Sequence, residues 1–144
     1  MIKQATAKEI QHVARLAQEL WPDNTVPSLE AEMRESLTQS DTAFFLYYAD
    51  NQAVAFAHAQ LRLDYVEGTD SSPVGYLEGI YVQEAFRKQG IAGSLLNTCQ
   101  TWAKQLGCSE FASDCELTNT ESLHFHLSHG FIEANRIICF TKKM

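Results

Sequence analysis

The stretch that decides the fold reads Leu77-Glu78-Gly79-Ile80-Tyr81-Val82, then four residues, then Arg87-Lys88-Gln89-Gly90-Ile91-Ala92-Gly93-Ser94. Its apolar first half predicts a strand, and its second half predicts a basic turn that opens a helix. The start of a helix presents unpaired backbone N–H groups and the positive end of the helix dipole, which together favour a phosphate. Small residues in this turn would let a pyrophosphate approach the backbone, and Arg87 and Lys88 add positive charge.

Two common nucleotide-binding loops are absent from this turn. No Gly-Lys-Ser/Thr follows it, so the lysine and the magnesium-binding hydroxyl of a nucleoside triphosphatase loop are missing. No Gly-x-Gly-x-x-Gly occurs either, which argues against a dinucleotide fold. What remains is Arg-x-x-Gly-x-Ala over residues 87–92. Taken alone, that pattern also fits an ordinary helix start after a strand.

A second pattern lies downstream, at Asn119-x-x-Ser122-x-x-Phe125-His126-x-x-His129-Gly130-Phe131. Together with the turn it resembles the GCN5-related N-acetyltransferases, which hold the pyrophosphate of coenzyme A on such a turn. The resemblance implies acetyl-CoA as the cosubstrate. It also implies that the coenzyme meets the strand, the turn and the later helix, at Ile80, Tyr81, Val82, Arg87, Lys88, Gln89, Gly90, Ile91, Ala92, Gly93 and Asn119.

His126 is a departure from the family pattern. Relatives often carry a tyrosine at this position, and that tyrosine protonates the leaving thiolate. The resemblance therefore implies His126 as the candidate general acid. Solvent is the alternative proton source, because a thiolate leaves readily without help.

The order of apolar patterns predicts an α+β fold with a mixed sheet and helices on both faces. Helices are predicted up to Leu20, over residues 28–37, from Ile91 until Gly107 ends it, and over residues 119–129. Strands are predicted over residues 43–49, 53–65, 74–82, 110–113 and 137–142. Gly79 inside a strand suggests a bulge. The family resemblance implies that this mostly antiparallel sheet splays there, so that backbone groups of residues 80–82 bond the pantetheine arm.

Chain length and net charge limit the classes of protein to which this sequence can belong. At 144 residues the chain is expected to form one domain over residues 1–144, with a core that needs no disulfide bonds. The net charge is −7, from 18 acidic and 11 basic residues. That balance disfavours nucleic acid, whose binding depends on clustered Lys and Arg. It suits a cationic partner, although on charge alone a role in solubility is the better explanation.

Other classes of site and location find little support in the sequence. The four cysteines form no metal-finger spacing and are expected to be reduced, mostly buried thiols. His124 and His126 would point to different faces of a helix, so no metal site is predicted. No apolar run is long enough to span a membrane, and the first residues lack the apolar core of a signal peptide. A cytoplasmic enzyme with no membrane contact is therefore expected.

Six stretches spread along the chain narrow the likeness to one subgroup. They are Trp21-Pro22-Asp23, Asp64-Tyr65-Val66, Asp70-Ser71-Ser72-Pro73, Leu77-Glu78-Gly79-Ile80, Trp102-Ala103-Lys104 and Phe111-Ala112-Ser113-Asp114. With them the chain resembles, over nearly its whole length, the small chromosomal-type aminoglycoside 6′-N-acetyltransferases. The resemblance implies a homodimer that acetylates the 6′-amine of kanamycin-like and tobramycin-like polycations, an activity that confers antibiotic resistance.

The same resemblance implies an acceptor cleft. Glu78 is the predicted base that takes the amine proton through water, and Asp114 would hold ammonium groups or share that role. A carboxylate on a strand is costly unless something cationic meets it. Relatives tend to carry histidine at position 24 and glutamate at position 135, the latter from the partner subunit, so affinity or drug preference is expected to differ. The predicted cleft residues are Trp21, Asn24, Tyr65, Glu78, Asp114 and Asn135.

Two other functions stay open at this point. An acetyltransferase for a polyamine or a protein N-terminus would share every coenzyme-binding residue and differ only in the acceptor cleft. A non-catalytic acetyl-CoA-binding module is suggested by the missing tyrosine at His126. A panel of acceptor amines separates the three.

Overall fold

Five strands form one sheet in the order β1-β2-β3-β4-β5, in a computed structural model that describes residues 1–144. The strands are β1 (Ile2–Gln4), β2 (Thr42–Ala49), β3 (Gln52–Arg62), β4 (Val74–Val82) and β5 (Phe111–Ser113). The helices are α1 (Ile10–Leu20), α2 (Val26–Ser36), α3 (Ile91–Gln105) and α4 (Thr120–Ser128), with a short 3-10 helix at Glu84–Phe86. Strands β1 to β4 pair antiparallel, whereas β5 is parallel to β4. The predicted fold class is confirmed.

The sheet has a hydrophobic layer on each face. Phe44 and Phe45 are neighbours in β2 but belong to opposite layers, as strand alternation requires. Phe44 packs with α1 and α2, where Ile10 and Val13 are fully buried. Phe45 packs in the layer of α3, whose Leu95 is also fully buried. Helices α1 and α3 therefore place their apolar faces on the sheet.

Strand β4 bends at the glycine that the sequence singled out. The pairing of β3 with β4 shifts its register here, so that Glu78 has no direct partner on β3. A Cβ on Gly79 would lie 2.7 Å from Cη2 of Trp21, which is why only glycine fits. Strand β5 pairs with β4 only as far as Leu77. Beyond that residue, the β5-facing edge of β4 has no strand partner, and the predicted splay is present.

Several boundaries differ from the sequence predictions. Helix α2 begins at Val26, before Ser28, because the hydroxyl of Thr25 accepts a hydrogen bond from the Ser28 N–H and thereby acts as the N-cap. Strand β3 ends at Arg62 instead of residue 65, where the chain enters the loop before β4. The three-residue strand β1 was not predicted, since it is too short to show a period of two.

The predicted strand over residues 137–142 is wrong: residues 131–144 form neither helix nor strand. A strand persists only when its backbone groups bond to a neighbouring strand, and no strand of this chain pairs with the segment. Its apolar side chains are instead strongly exposed, with Ile132 at 90% and Phe140 at 87%. We call residues 131–144 the C-terminal segment.

The cysteines and possible metal ligands are dispersed. All four cysteines are free thiols, but only Cys99 and Cys108 are buried, so the expectation of mostly buried thiols holds for half of them. No group of three or more His, Cys, Asp or Glu side chains is arranged to hold a metal ion. None of the helices combines the length and the apolar character that a membrane span requires.

Candidate active site

The basic turn presents a row of free backbone donors. The N–H groups of residues 89–93 donate to no acceptor in the protein, and the first bond of the helix runs from the Ser94 N–H to the Gly90 carbonyl at 3.1 Å. Gly90 has a φ of 79°, in the left-handed region that favours glycine. A Cβ on Gly90 would meet nothing within 4 Å, so the turn is open to a ligand. These donors at a helix N-terminus fit a diphosphate.

The turn is held against both neighbouring motifs. The Arg87 Nε donates to the carbonyl oxygen of Val82 at 2.8 Å, and this bond ties the turn to the end of β4. A Cβ on Gly93 would lie 2.9 Å from Nε2 of His129, because the end of α4 packs on the start of α3. The two sequence patterns therefore belong to one site. Lys88 is exposed and has a φ of 63°.

His126 is tied into a chain of hydrogen bonds beside the splay. Its Nδ1 lies 2.6 Å from the carbonyl oxygen of Ser122, and because a carbonyl can only accept, Nδ1 carries the proton. Its Nε2 lies 2.8 Å from the hydroxyl oxygen of Ser113, the last residue of β5. In the neutral ring, Nε2 therefore accepts from Ser113, and it becomes a donor only when the ring is an imidazolium.

Asn119 stands at the start of α4, as the second pattern predicts. Its Oδ1 accepts from the Ser122 N–H at 3.1 Å, which caps the helix. The amide nitrogen takes no part in that bond and stays available to a ligand. The side chain has a structural role in this protein in addition to the coenzyme contact that the family resemblance implies.

Glu78 lies on the bulge of β4 and is paired with an arginine. The Nη2 of Arg62 lies 2.5 and 2.9 Å from the two carboxylate oxygens. The Arg62 guanidinium also lies over the ring of Tyr76, with Cζ 3.4 Å from the ring centroid. The Glu78 side chain is 19% exposed and that of Arg62 is 42% exposed, so the pair is partly open to solvent.

Asp114 joins the same group through Tyr76. The Tyr76 hydroxyl donates to the carboxylate of Asp114 in a short hydrogen bond that spans β4 and the end of β5. Burial of the ring, helped by the hydrogen bond to Asp114, raises the pKa of Tyr76 well above its usual value. The phenol therefore stays protonated and remains a donor. Glu78 and Asp114, the two predicted acidic groups, thus lie on either side of one tyrosine.

Of the other predicted cleft residues, only Trp21 contacts a neighbour of Glu78. Trp21 at the end of α1 covers Gly79, the residue after Glu78, and Asn24 is exposed close behind it. Tyr65 is 75% exposed in the loop before β4. Asn135 reaches that loop within its own chain, where its Nδ2 donates to Glu67 at 3.0 Å. An open groove of about 300 Å³ between β1, β2 and α3 contains none of these residues.

Sequence reasoning missed Arg62, Tyr76 and Ser113. Arg62 was assigned to the interior of a strand, and nothing in the local sequence indicated that it reaches across to β4. Tyr76 had a visible signal, because a period of two in the predicted strand places it on the same face as Glu78. Ser113 stood beside Asp114 in a motif that already carried the resemblance, so its place at the end of a strand could have identified it.

The chain is similar to known acetyltransferases over most of its length. A profile of the acetyltransferase (GNAT) family matches residues 13–131. An aminoglycoside N(6′)-acetyltransferase type 1 from Acinetobacter haemolyticus is 41% identical over 143 residues, which are 99% of this chain and 98% of that protein. The protein of the same name from Serratia marcescens is 46% identical over 126 residues, 87% of this chain and 86% of that protein.

The fold has solved counterparts at similar identity. The structure of AAC(6′)-Iy in complex with the bisubstrate analogue CoA-S-monomethyl-acetylneamine superposes with a TM-score of 0.95. It is 39% identical in sequence, and the match covers 100% of this chain and 98% of that one. The likeness therefore extends over both the free donors of the turn and the cleft around Glu78.

Proposed function

The chain belongs to the acetyltransferase (GNAT) family, and on that premise we propose that it transfers an acetyl group from acetyl-CoA to the 6′-amine of aminoglycosides and so confers resistance to them. One observation carries the proposal. The free donors at residues 89–93 and the acidic cleft around Glu78 lie along the same strand and turn, separated by the splay. Relatives that carry the aminoglycoside name match the chain over nearly its full length.

On the coenzyme side, the chain supplies donors and positive charge. The N–H groups of residues 89–93 bind the diphosphate, and the free edge of β4 over residues 80–82 pairs with the amide-bearing pantetheine arm as an added strand would. Arg87 and Lys88 add charge, and the amide of Asn119 contacts the coenzyme from the start of α4. Backbone N–H groups of this edge are placed to support the oxyanion that forms when the amine attacks.

On the acceptor side, the carboxylates bind and deprotonate the amine. An ammonium group titrates near ~10, so the attacking amine must lose a proton at neutral pH. Glu78 takes that proton through a water molecule, and Asp114, held by Tyr76, attracts further ammonium groups of a polycation. Trp21, Asn24 and Tyr65 line the rest of the cleft. This division agrees with a substrate that carries several positive charges.

The thiolate is protonated by His126 through Ser113. As an imidazolium, His126 donates from Nε2 to the Ser113 oxygen, and the Ser113 hydroxyl proton passes to the sulfur. The Ser122 carbonyl holds Nδ1–H throughout. The imidazole ring is neutral after this step and takes up a proton from solvent before the next turnover.

We further propose a cytoplasmic homodimer. The exposed apolar side chains of the C-terminal segment need a cover, and a second copy of the chain supplies one. Asn135 belongs to this segment and contacts the loop of Tyr65, so a dimer contact here would bear on the acceptor cleft. The cytoplasm is where acetyl-CoA is available to such an enzyme.

A thiol-release assay across acceptors tests the proposed function. With acetyl-CoA, the protein is expected to release CoA thiol in the presence of kanamycin or tobramycin, and mass spectrometry is expected to place the acetyl group on the 6′-amine. Turnover of spermidine or a peptide, without turnover of any 6′-amino drug, would replace the proposal with a different amine acetyltransferase. Tight CoA binding without turnover of any amine would indicate a binding module.

A further inference from the structure

Arg62 occupies the part of the cleft where an ammonium group of the acceptor is expected. Its guanidinium contacts both oxygens of Glu78 and covers the face of Tyr76, whose hydroxyl bonds Asp114. A cation therefore already contacts one of the two carboxylates that would attract the substrate, and also the tyrosine that bonds the other. The role proposed above for Glu78 requires its carboxylate to face the amine, and in this arrangement it faces Arg62.

An ion pair at this degree of exposure is weak enough to exchange. Ion pairs that water can reach contribute little net stability, because the two charges are solvated when they separate. The Arg62 side chain is 42% exposed, and its long, flexible stem allows the guanidinium to move away from the carboxylate of Glu78. An approaching ammonium group, however, meets a neutralised carboxylate and a like charge, which lowers its affinity.

We propose that Arg62 is a resident counter-ion of Glu78 that the acceptor ammonium must displace, and that it thereby sets the affinity of the cleft for polycationic amines. The proposal rests on the function proposed above, because it assigns Glu78 to the acceptor site. Arg62 then acts as a specificity-determining residue: an acceptor with several ammonium groups outcompetes the guanidinium, whereas an amine with a single charge does so poorly.

A purely structural role for Arg62 makes a different prediction. If the guanidinium served to hold Glu78 in position, its removal would lower kcat and leave the affinity for the acceptor unchanged. Displacement predicts tighter binding of the acceptor, which a positioning role does not predict. The two readouts are separable in one set of kinetic measurements.

The test compares Arg62→Met, Arg62→Lys and Arg34→Met with the original protein. Arg34 forms an exposed ion pair with Glu30 on α2, so Arg34→Met makes the same change in net charge away from the cleft. The methionine keeps an apolar stem over Tyr76, and the lysine keeps the positive charge. Calorimetry with kanamycin is expected to give about two- to fivefold tighter binding for Arg62→Met alone, with KM for acetyl-CoA unchanged.

A double variant shows whether the tighter binding of kanamycin depends on Glu78. In the Glu78→Gln background the gain from Arg62→Met is expected to vanish, because the carboxylate that Arg62 masks is gone. Equal or weaker kanamycin binding by Arg62→Met, or an equal gain in the Glu78→Gln background, overturns the proposal. If the original protein acetylates no aminoglycoside, the proposed function fails, while the calorimetric comparison still decides the role of Arg62. If kanamycin binds none of the variants, both proposals fail.

Discussion

The turn that we propose for the coenzyme and the cleft that we propose for the acceptor are built from the chain in opposite ways. Residues 89–93 are consecutive, their backbone donors are free, and one left-handed glycine sets their direction. The cleft draws Trp21, Arg62, Glu78 and Asp114 from four separate elements, and its charged groups are already engaged with one another. A site made of backbone can be recognised from a short motif, whereas a site made of distant side chains is known only once the chain has folded.

The largest effect is expected at Glu78. Replacing it by glutamine keeps the shape and removes the base, so kcat for kanamycin should fall by about 10²- to 10³-fold while the dissociation constant of CoA stays unchanged. Glu30→Gln, which removes the carboxylate of an exposed ion pair on α2, is the matched control and should leave kcat as it was. A normal kcat for Glu78→Gln in the thiol-release assay would assign the base to another group.

A substitution at Gly90 tests whether the free backbone donors of residues 89–93 bind the coenzyme. Alanine at Gly90 must adopt a φ near 79°, at a cost of about 1–2 kcal/mol, and relief of that strain moves the free donors. CoA binding measured by calorimetry should weaken about tenfold.

Gly107→Ala is the control for this comparison. Gly107 has a φ of 95° at the end of α3 and likewise has no neighbour near a Cβ, so its replacement carries a similar strain away from the turn. The melting temperature should fall in both variants, but CoA affinity only in Gly90→Ala. Equal CoA affinities in the two variants would contradict the assignment of residues 89–93 to the diphosphate.

Substitutions in the hydrogen-bonded pair of Ser113 and His126 should lower kcat less than the substitution of Glu78 does. Because CoA thiolate leaves readily, Ser113→Ala and His126→Gln are each expected to lower kcat by only about three- to tenfold. A relay also predicts that the double variant is no slower than either single one. Ser128→Ala, at the end of the same helix, serves as control. Additive losses, or none at all, would leave solvent as the proton source.

Stability below neutral pH tests the sheet beneath the acceptor cleft. His58, which pairs with Gly79 and stacks on Phe44, is largely buried, and this burial lowers its pKa to about 4. The unfolded chain binds this proton near pH 6.5, so the neutral ring stabilises the fold above that pH, and this contribution is lost as the pH falls towards 4. Urea titrations at pH 7 and pH 5 should differ by about 1–2 kcal/mol from this residue.

Two substitutions test whether His58 is the source of this pH dependence: His58→Gln and, as its control, His124→Gln. The first removes the buried titrating group and should flatten the dependence of stability on pH between 6.5 and 4. The second removes an exposed histidine of α4 and should leave that dependence in place. An unchanged slope in His58→Gln would mean that another group dominates in this range.

Several parts of the fold were predictable because they depend on near neighbours in the chain. The strand-turn-helix from Leu77 to Ser94, the bulge at Gly79 and the end of α3 at Gly107 all follow from patterns a few residues long. The strand expected over residues 137–142 failed for the complementary reason. The segment is rich in residues that favour strands, but no strand of this chain pairs with it. Strand formation depends on such a partner.

The amino-acid sequence by itself determined the family, the fold class and the turn with its free donors, because backbone hydrogen bonding and glycine conformation are local properties. Only the tertiary structure decided that Arg62 faces Glu78, that Tyr76 bonds Asp114 and that Ser113 meets His126. These contacts join residues 13 to 38 positions apart, and such pairs are set by strand register and helix packing.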